Sequence, residues 1–531
     1  MNGVLLLLAV VFLLCICAHT ISNRLGMPAL LLFMCLGMLF GSDGIFKIDF
    51  ADYELTQNIS SLALLFIMFF GGFCTKWSAA RPVAARSLIL STAGVVLTAA
   101  ITGIFCYYIF DIGLLEGLLI GSVLGSTDAA SVFSILRSKN LNLKAQTDSM
   151  LELESGSNDP IAYMLTTVLL SLMLGSGDVN IAGLLFSQVF WAIAIGVAVA
   201  MAAGFFMNRF SFISSDFYTV FIIAAALLSY ALTQWLSGNG FLSVYLTGII
   251  LGNQKIPEKK RLVQFFDSVT QLAQMVLFFI LGLLAFPHKL PGVLVPSLVI
   301  AIFLTLVARP VAVCLLLKPF RAPWSQCMLV SFAGLRGAAS IAFAVTVVCA
   351  GVATELDIFH IVFFIALFSV AVQGSFLPLA ARKLHMIDNF SDVHKTFNDY
   401  QDESSMTLMR FFIPAGHNWA GKKISDVHFP TGALALMIKR GEETLIPKGD
   451  TCIMPGDHLI MSVPAYESQS GDVSLREMEI TSGHDWCQKT IEELNLPDTL
   501  LIVLIKRKDE NIIPFGKTRI LAGDTVVYAN Y

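Results

Sequence analysis

The heptad ESGSNDP, Glu154 to Pro160, lies inside a stretch that otherwise reads as membrane. Glu154, Ser155, Ser157, Asn158 and Asp159 crowd into about one and a half turns of a 3.6-residue helix. Hydrocarbon opposes each of them. Of the 531 residues, 56% are hydrophobic and only 14% charged, and the mean hydropathy is +0.75. A soluble chain carries roughly a quarter charged residues. Here Leu, Ile, Val, Ala and Phe fall in long runs, the pattern of an all-α polytopic membrane protein. About thirteen such runs occur between residues 3 and 381, and beyond residue 384 charges, Pro and Gly return at ordinary density. The chain therefore reads as a membrane domain, 1–384, followed by a tail.

Charge gives an independent check on the spans. Sixteen Lys and Arg residues, from Arg24 to Lys383, fall on one set of alternate loops, and only Lys47 and Lys289 on the other. The positive-inside rule then places the N-terminus outside and the tail in the cytoplasm. The first run has no positive segment before it and no clear small-residue cleavage site, so it reads as a retained helix. The net charge of −4, without a basic patch, offers nothing to nucleic acid. The ten cysteines are scattered without His at metal-ligand spacing and read as small buried hydrophobes, so no metal or cofactor is expected. A Gly-x-x-x-x-Gly-Lys-Ser/Thr phosphate loop is absent, which sets aside a primary pump. A Thr-Val-Gly-Tyr-Gly filter is absent too, which argues against the rival reading of a gated cation channel.

Five ionisable residues sit well inside spans: Asp128, Glu154, Asp159, Arg309 and Arg336. Each costs about 2.5–3.5 kcal/mol to insert, so pairing or function must hold it there. Asp128 lies midway along the fifth span, in GSVLGSTDAAS (121–131), and Arg336 midway along the twelfth, in FAGLRGAAS (332–340). Gly125, Ser126, Gly334 and Gly337 make both stretches breakable. Such segments at matching depth in oppositely directed spans point to two broken, crossing helices of an inverted-repeat transporter. Unwound backbone is tolerable at that depth only around a protein-lined cavity. Asp128 suits the positive helix N-termini that meet there, or direct ion contact, and Arg336 suits the negative C-termini. Arg309, before Pro310, reads as structural.

Three interior carboxylates face two guanidiniums, leaving one negative charge that a proton or a monovalent cation can neutralise. A site that is neutral with either ligand is what an exchanger needs. Asp159 is the candidate for that shared carboxylate. Asn158 offers a carbonyl oxygen and no second charge, which favours one-for-one, electroneutral exchange. The chain thus reads as a secondary transporter and not an enzyme.

GSTDAASVFSIL followed by LELESGSNDPIAYMLT, with LRGA late in the chain, resembles the NhaP-type monovalent cation:proton antiporters, closest to their bacterial potassium/proton branch. The likeness covers roughly residues 3–384. It implies a thirteen-helix fold, a homodimer in a bacterial inner membrane, and elevator-like alternating access. It also implies that Asp159 and Asn158 mark the ion site, with Thr127 and Ser155 adding oxygen ligands. Glu154 and Arg336 match positions that form a structural ion pair. Ala129 stands where many members have Pro, and the third span lacks the acidic residue of some sodium-selective relatives. The cation expected is potassium, with sodium as the alternative.

The tail is one unit written twice. GHNWAGKKISDVHFPTGALALMIKRGEETLIPKGD from Gly416 and GHDWCQKTIEELNLPDTLLIVLIKRKDENIIPFGK from Gly483 align at an offset of 67 without a gap. Each copy reads as a short helix, a strand, a Pro/Gly turn and a second strand. The units, 405–470 and 471–531 after a linker at 385–404, resemble the C-lobes of TrkA-type regulatory domains. No Gly-x-Gly-x-x-Gly nucleotide fold precedes them, so a small-molecule effector at the tail has no obvious identity. His417 and His484 read as turn residues.

Overall fold

The computed structural model describes residues 2–25, 28–139, 141, 143–175, 180–209, 217–254, 256–387, 406–414, 417, 419–427, 429, 434–440, 443–464, 474–480, 486–494, 496, 500–507, 510–512, 514–516 and 518–530. Most of the expected linker, and His484, lie outside them. The chain forms two compact units, Met1–Asp402 and Glu403–Tyr531.

The first unit is helical. Among the described residues, seven helices are long and apolar enough to cross a membrane: Tyr53–Cys74, Ala84–Phe110, Ile181–Arg209, Tyr218–Trp235, Lys259–Leu284, Pro287–Phe320 and Ile358–Lys383. The heptad lies in a further long helix, Thr147–Met173, and Ala29–Phe40 and Gly240–Gly252 are short and apolar. Two helices are broken. Leu114–Val123 resumes as Ala129–Ser138, and Trp324–Phe332 resumes as Ala338–Cys349. Both interruptions fall where Gly, Ser and Ala surround a charged residue at mid-span. Burial of the cysteines is incomplete: Cys17 and Cys349 are exposed.

These helices pack as two groups. One contains Ala29–Phe40, Tyr53–Cys74, Ile181–Arg209, Tyr218–Trp235, Gly240–Gly252 and Lys259–Leu284. The other contains Ala84–Phe110, both broken helices, Thr147–Met173, Pro287–Phe320 and Ile358–Lys383. The second group carries three π-helical turns, Leu90–Gly94, Leu304–Ala308 and Ser369–Gln373. Each widens its helix by one residue per turn, a distortion that recurs at functional sites. The groups approach closely at Gly156, where an added Cβ would lie 2.9 Å from the Tyr245 hydroxyl.

Among its described residues the second unit holds two four-stranded antiparallel sheets. Strands β1 (Met406–Phe412), β2 (Leu434–Arg440), β3 (Glu443–Leu445) and β4 (His458–Pro464) pair in the order β1-β4-β2-β3. Strands β5 (Ser474–Glu479), β6 (Leu500–Arg507), β7 (Glu510–Ile512) and β8 (Thr525–Asn530) repeat that order as β5-β8-β6-β7. Each copy thus has four strands where the sequence suggests two, and the expected short helix is a three-residue 3₁₀ turn, Ile424–Asp426 or Glu492–Leu494. His417 accepts a hydrogen bond from the Trp419 amide and so holds its turn.

An arginine fork closes each sheet. Arg440 grips Asp457 through Nε and Nη2, both at 2.8 Å, and donates to the Cys452 carbonyl. Arg507, Asp524 and Arg519 repeat this arrangement 67 residues on. The hydrogen bonds from Arg440 hold the Asp457 carboxyl below the usual range. Burial pushes the Asp524 carboxyl up, but the hydrogen bonds from Arg507 outweigh it and leave that group low as well. A carboxyl lowered by folding adds stability above its unfolded pKa, near 4, and that stability is lost as pH falls through the folded value. Asp457→Asn is therefore expected to weaken the first sheet by about 1–3 kcal/mol at neutral pH and to flatten its acid dependence below pH 4. Amide exchange along β4 from pH 3 to 7 measures both effects.

Candidate functional site

Pro160 sits inside the Thr147–Met173 helix and supplies no N–H, so the helix loses a rung next to the heptad. Asn239, which caps the Gly240–Gly252 helix, donates from Nδ2 to the Pro160 carbonyl at 2.7 Å and ties the two helix groups together there. Asp159 is buried at this point, 8% exposed, and accepts a hydrogen bond from the Ser126 hydroxyl in the first break. Among the described residues, no cationic group lies within ion-pair distance of it.

The first break is assembled by its neighbours. Ser155 Oγ donates to the Thr127 carbonyl at 2.6 Å, and Asn158 Nδ2 donates to Thr127 Oγ1 at 2.5 Å. The Asn158 carbonyl oxygen is buried with no hydrogen-bond partner among the described residues. Asp128 receives the Ser131 amide at 3.2 Å and the Ser131 hydroxyl at 2.6 Å, so it caps the Ala129–Ser138 half-helix. Its own backbone N–H donates to the Leu335 carbonyl at 2.8 Å, which stitches the two breaks together. Gly337 makes that crossing possible, since a Cβ there would run into the Asp128 side chain.

The basic residues divide differently from the expectation. Glu154 pairs with Arg309, not with Arg336; both partners are almost wholly buried, at 1% and 2% exposed. Arg309 follows the π-helical turn Leu304–Ala308, which turns its side chain toward the heptad. Arg336 instead donates from Nη1 to the Ser126 carbonyl at 2.7 Å. It thereby stabilises the unwound carbonyl beyond the C-terminus of the first half-helix.

A cavity of about 540 Å³ lies between the two groups and reaches Ser126, Thr127, Asp128, Ser155 and Asp159 on one side and Met68 and Tyr245 on the other. Glu152 and Asp267 also line it, and sequence reasoning passed over both. For Glu152 a signal existed: Glu152, Ser155 and Asp159 follow i, i+3, i+7 spacing and share one helix face. By sequence Ser126 marks only a helix break, whereas in the structure its hydroxyl is the group that meets the carboxylate. Among the described residues, no group of three His, Cys, Asp or Glu is arranged to hold a metal ion.

Two crossed, interrupted helices beside a buried carboxylate that lines an inter-group cavity define an ion-exchanging membrane transporter. Residues 8–383 match the transmembrane sodium/hydrogen exchanger model and residues 408–465 and 475–527 each match the TrkA-C domain, so the chain belongs to the sodium/hydrogen exchanger family, with a duplicated TrkA-C tail. It is 39% identical over 467 residues to the K(+)/H(+) antiporter NhaP of Alkalimonas amylolytica, covering 87% of this chain and 81% of that one. It is 33% identical over 444 residues to the K(+)/H(+) antiporter NhaP2 of Shewanella oneidensis, covering 82% and 77%. The structure of the sodium proton antiporter MjNhaP1 from Methanocaldococcus jannaschii aligns with a TM-score of 0.64 over 71% of this chain and 97% of that one. At 24% identity that likeness shows the fold. The chain is thus a multi-pass membrane antiporter.

Proposed function

We propose that this protein exchanges K+ for H+ one for one, using Asp159 as the carboxylate that binds either ion. The observation that carries this reading is the position of Asp159: buried at the cavity, hydrogen-bonded by Ser126, and without a basic partner among the described residues. Asn158, Thr127, Ser155 and Asp128 supply neighbouring oxygens, and the neutrality of Asn158 supports electroneutral exchange. The names of the NhaP and NhaP2 relatives support potassium. Sodium is the second reading, favoured by the likeness to MjNhaP1 and by 26% identity over 408 residues to the Na(+)/H(+) antiporter NhaH of Halobacillus dabanensis. Proteoliposomes challenged with K+, Na+ and Li+ in turn discriminate these readings. Proton release is expected at the lowest concentration with K+, and an imposed voltage is expected to leave the initial rate unchanged. Half-saturation at lower Na+ than K+ would transfer the assignment to sodium, and acceleration by voltage would reject the stoichiometry.

The reading extends to the whole chain. Thirteen crossings in residues 1–384 leave the N-terminus outside and the tail in the cytoplasm of a bacterial inner-membrane homodimer. Beyond the linker, 385–404, the units 405–470 and 471–531 bind a small cytoplasmic effector and bias inward- and outward-facing states, by no more than that effector's differential affinity for them. Truncation after Lys383 is expected to preserve exchange and cation preference while shifting the pH or concentration at which exchange begins. A truncated protein that is folded, dimeric and inactive would place the tail in the transport step itself.

A further inference from the structure

The Ile358–Lys383 helix carries its π-helical turn at Ser369–Gln373, beside the second break. Neither residue reaches the cavity, and both are buried. Their polar atoms are consumed by the break. Gln373 Nε2 donates to the Phe332 carbonyl at 2.6 Å, at the end of the first half-helix. The Ser369 hydroxyl donates to Gln373 Oε1 at 2.9 Å, and the Arg336 backbone N–H donates to Ser369 Oγ at 3.1 Å. One side-chain pair therefore closes both a carbonyl and an amide that the interrupted helix leaves open. From Arg336 the chain of bonds continues through Nη1 to the Ser126 carbonyl, and from the Ser126 hydroxyl to Asp159.

We infer that Ser369 and Gln373 are positioning residues for exchange: they fix Arg336, Arg336 fixes Ser126, and Ser126 presents its hydroxyl to the exchanging carboxylate. A hydroxyl donated to a carboxylate favours its ionised form, which is the form that takes a cation. When Arg336 slackens, Ser126 loses its fixed place and the proton competes better. More cation and a higher pH are then needed for the same occupancy. The π-helical turn sets this geometry, because a one-residue change of register rotates a helical side chain by about 100°.

The test is exchange by Ser369→Ala, Ser369→Thr and Gln373→Met in proteoliposomes, recorded against K+ concentration and pH, with a melting temperature for each protein. Ser369→Ala and Gln373→Met are expected to raise the half-saturating K+ concentration by about tenfold and to move the pH profile alkaline by about one unit. Maximal rate stays near the parent value and the melting temperature falls by a few degrees as the freed backbone groups lose their partners, while Ser369→Thr, which keeps the hydroxyl, restores both profiles and the melting temperature. Parental half-saturation and pH profile in the folded Ala and Met variants would overturn the inference. So would equal impairment of the Thr variant, or failure of both other variants to fold, since either outcome reduces the pair to a stability element. The inference rests on Asp159 as the exchange carboxylate, yet the two fail separately: exchange surviving in Asp159→Asn refutes that reading whatever the Ser369 variants do.

Discussion

Asp159→Asn is expected to abolish cation-driven proton movement entirely while the protein still reaches the membrane and folds. The side chain keeps nearly the same volume and can still accept a hydrogen bond from Ser126. What it loses is the charge that either ion must neutralise. Because Asp159 has no basic partner among the described residues, its removal strands no counter-charge. The neutral amide also removes the penalty of a largely buried carboxylate that has no basic partner. The melting temperature is therefore expected to hold or rise as activity vanishes. Fluorescence dequenching in everted vesicles, read beside a thermal melt of the purified protein, measures the two together. Substantial exchange by the Asn variant would remove Asp159 from its role, and loss of folding would make it a structural residue.

The Glu154–Arg309 pair predicts the opposite combination, a large loss of stability in each single variant. Removing one member of a buried pair leaves an uncompensated charge, at a cost of about 3–5 kcal/mol. Glu154→Ala and Arg309→Ala are each expected to lose stability of that order, read as lower yield and melting temperature, and the double variant to lose much less than their sum. Glu154 Oε2 and Arg309 Nε have no hydrogen-bond partners among the described residues, so the pair itself is incompletely satisfied and its joint removal is tolerable. Additive losses would show that the two do not interact. A cycle of Glu154 with Arg336 provides the contrast, with weaker coupling expected because Arg336 is engaged by Ser126.

Both breaks were legible because two local signals coincide: small, helix-weakening residues and a charge at mid-span, at Asp128 and again at Arg336. The heptad was legible for the same reason, polarity where hydrocarbon forbids it. The partner of Glu154 was not. Arg309 and Arg336 are both single basic residues deep in apolar spans, and the choice between them depends on helix rotation. That rotation follows from the π-helical turn Leu304–Ala308, whose sequence LTLVA has no Pro, Gly or periodicity to announce it. Ser369 and Gln373 were hidden likewise, since a Ser and a Gln in an apolar span read as tolerated polar residues until the second break is seen beside them. In the tail, the LLIVLIKR strand declares itself by composition. Strands β1 and β4 instead depend on pairing with each other across more than forty intervening residues.

The π-helical turns also set which genetic lesions the transport unit can absorb. A π turn is equivalent to one residue inserted into an α-helix, so deletion of one residue within it restores regular winding instead of unravelling the segment. Loss of any one of Leu304 to Ala308 would leave a continuous apolar helix of ordinary appearance. It would also swing Arg309 by about 100°, away from Glu154. In the Ser369–Gln373 turn the same lesion would separate the Ser and Gln that hold the second break. A frame-preserving deletion of three nucleotides in these fifteen-nucleotide windows would thus produce a well-wound helix with its chemistry facing the wrong way, a defect that composition and hydropathy profiles of the altered chain would not register.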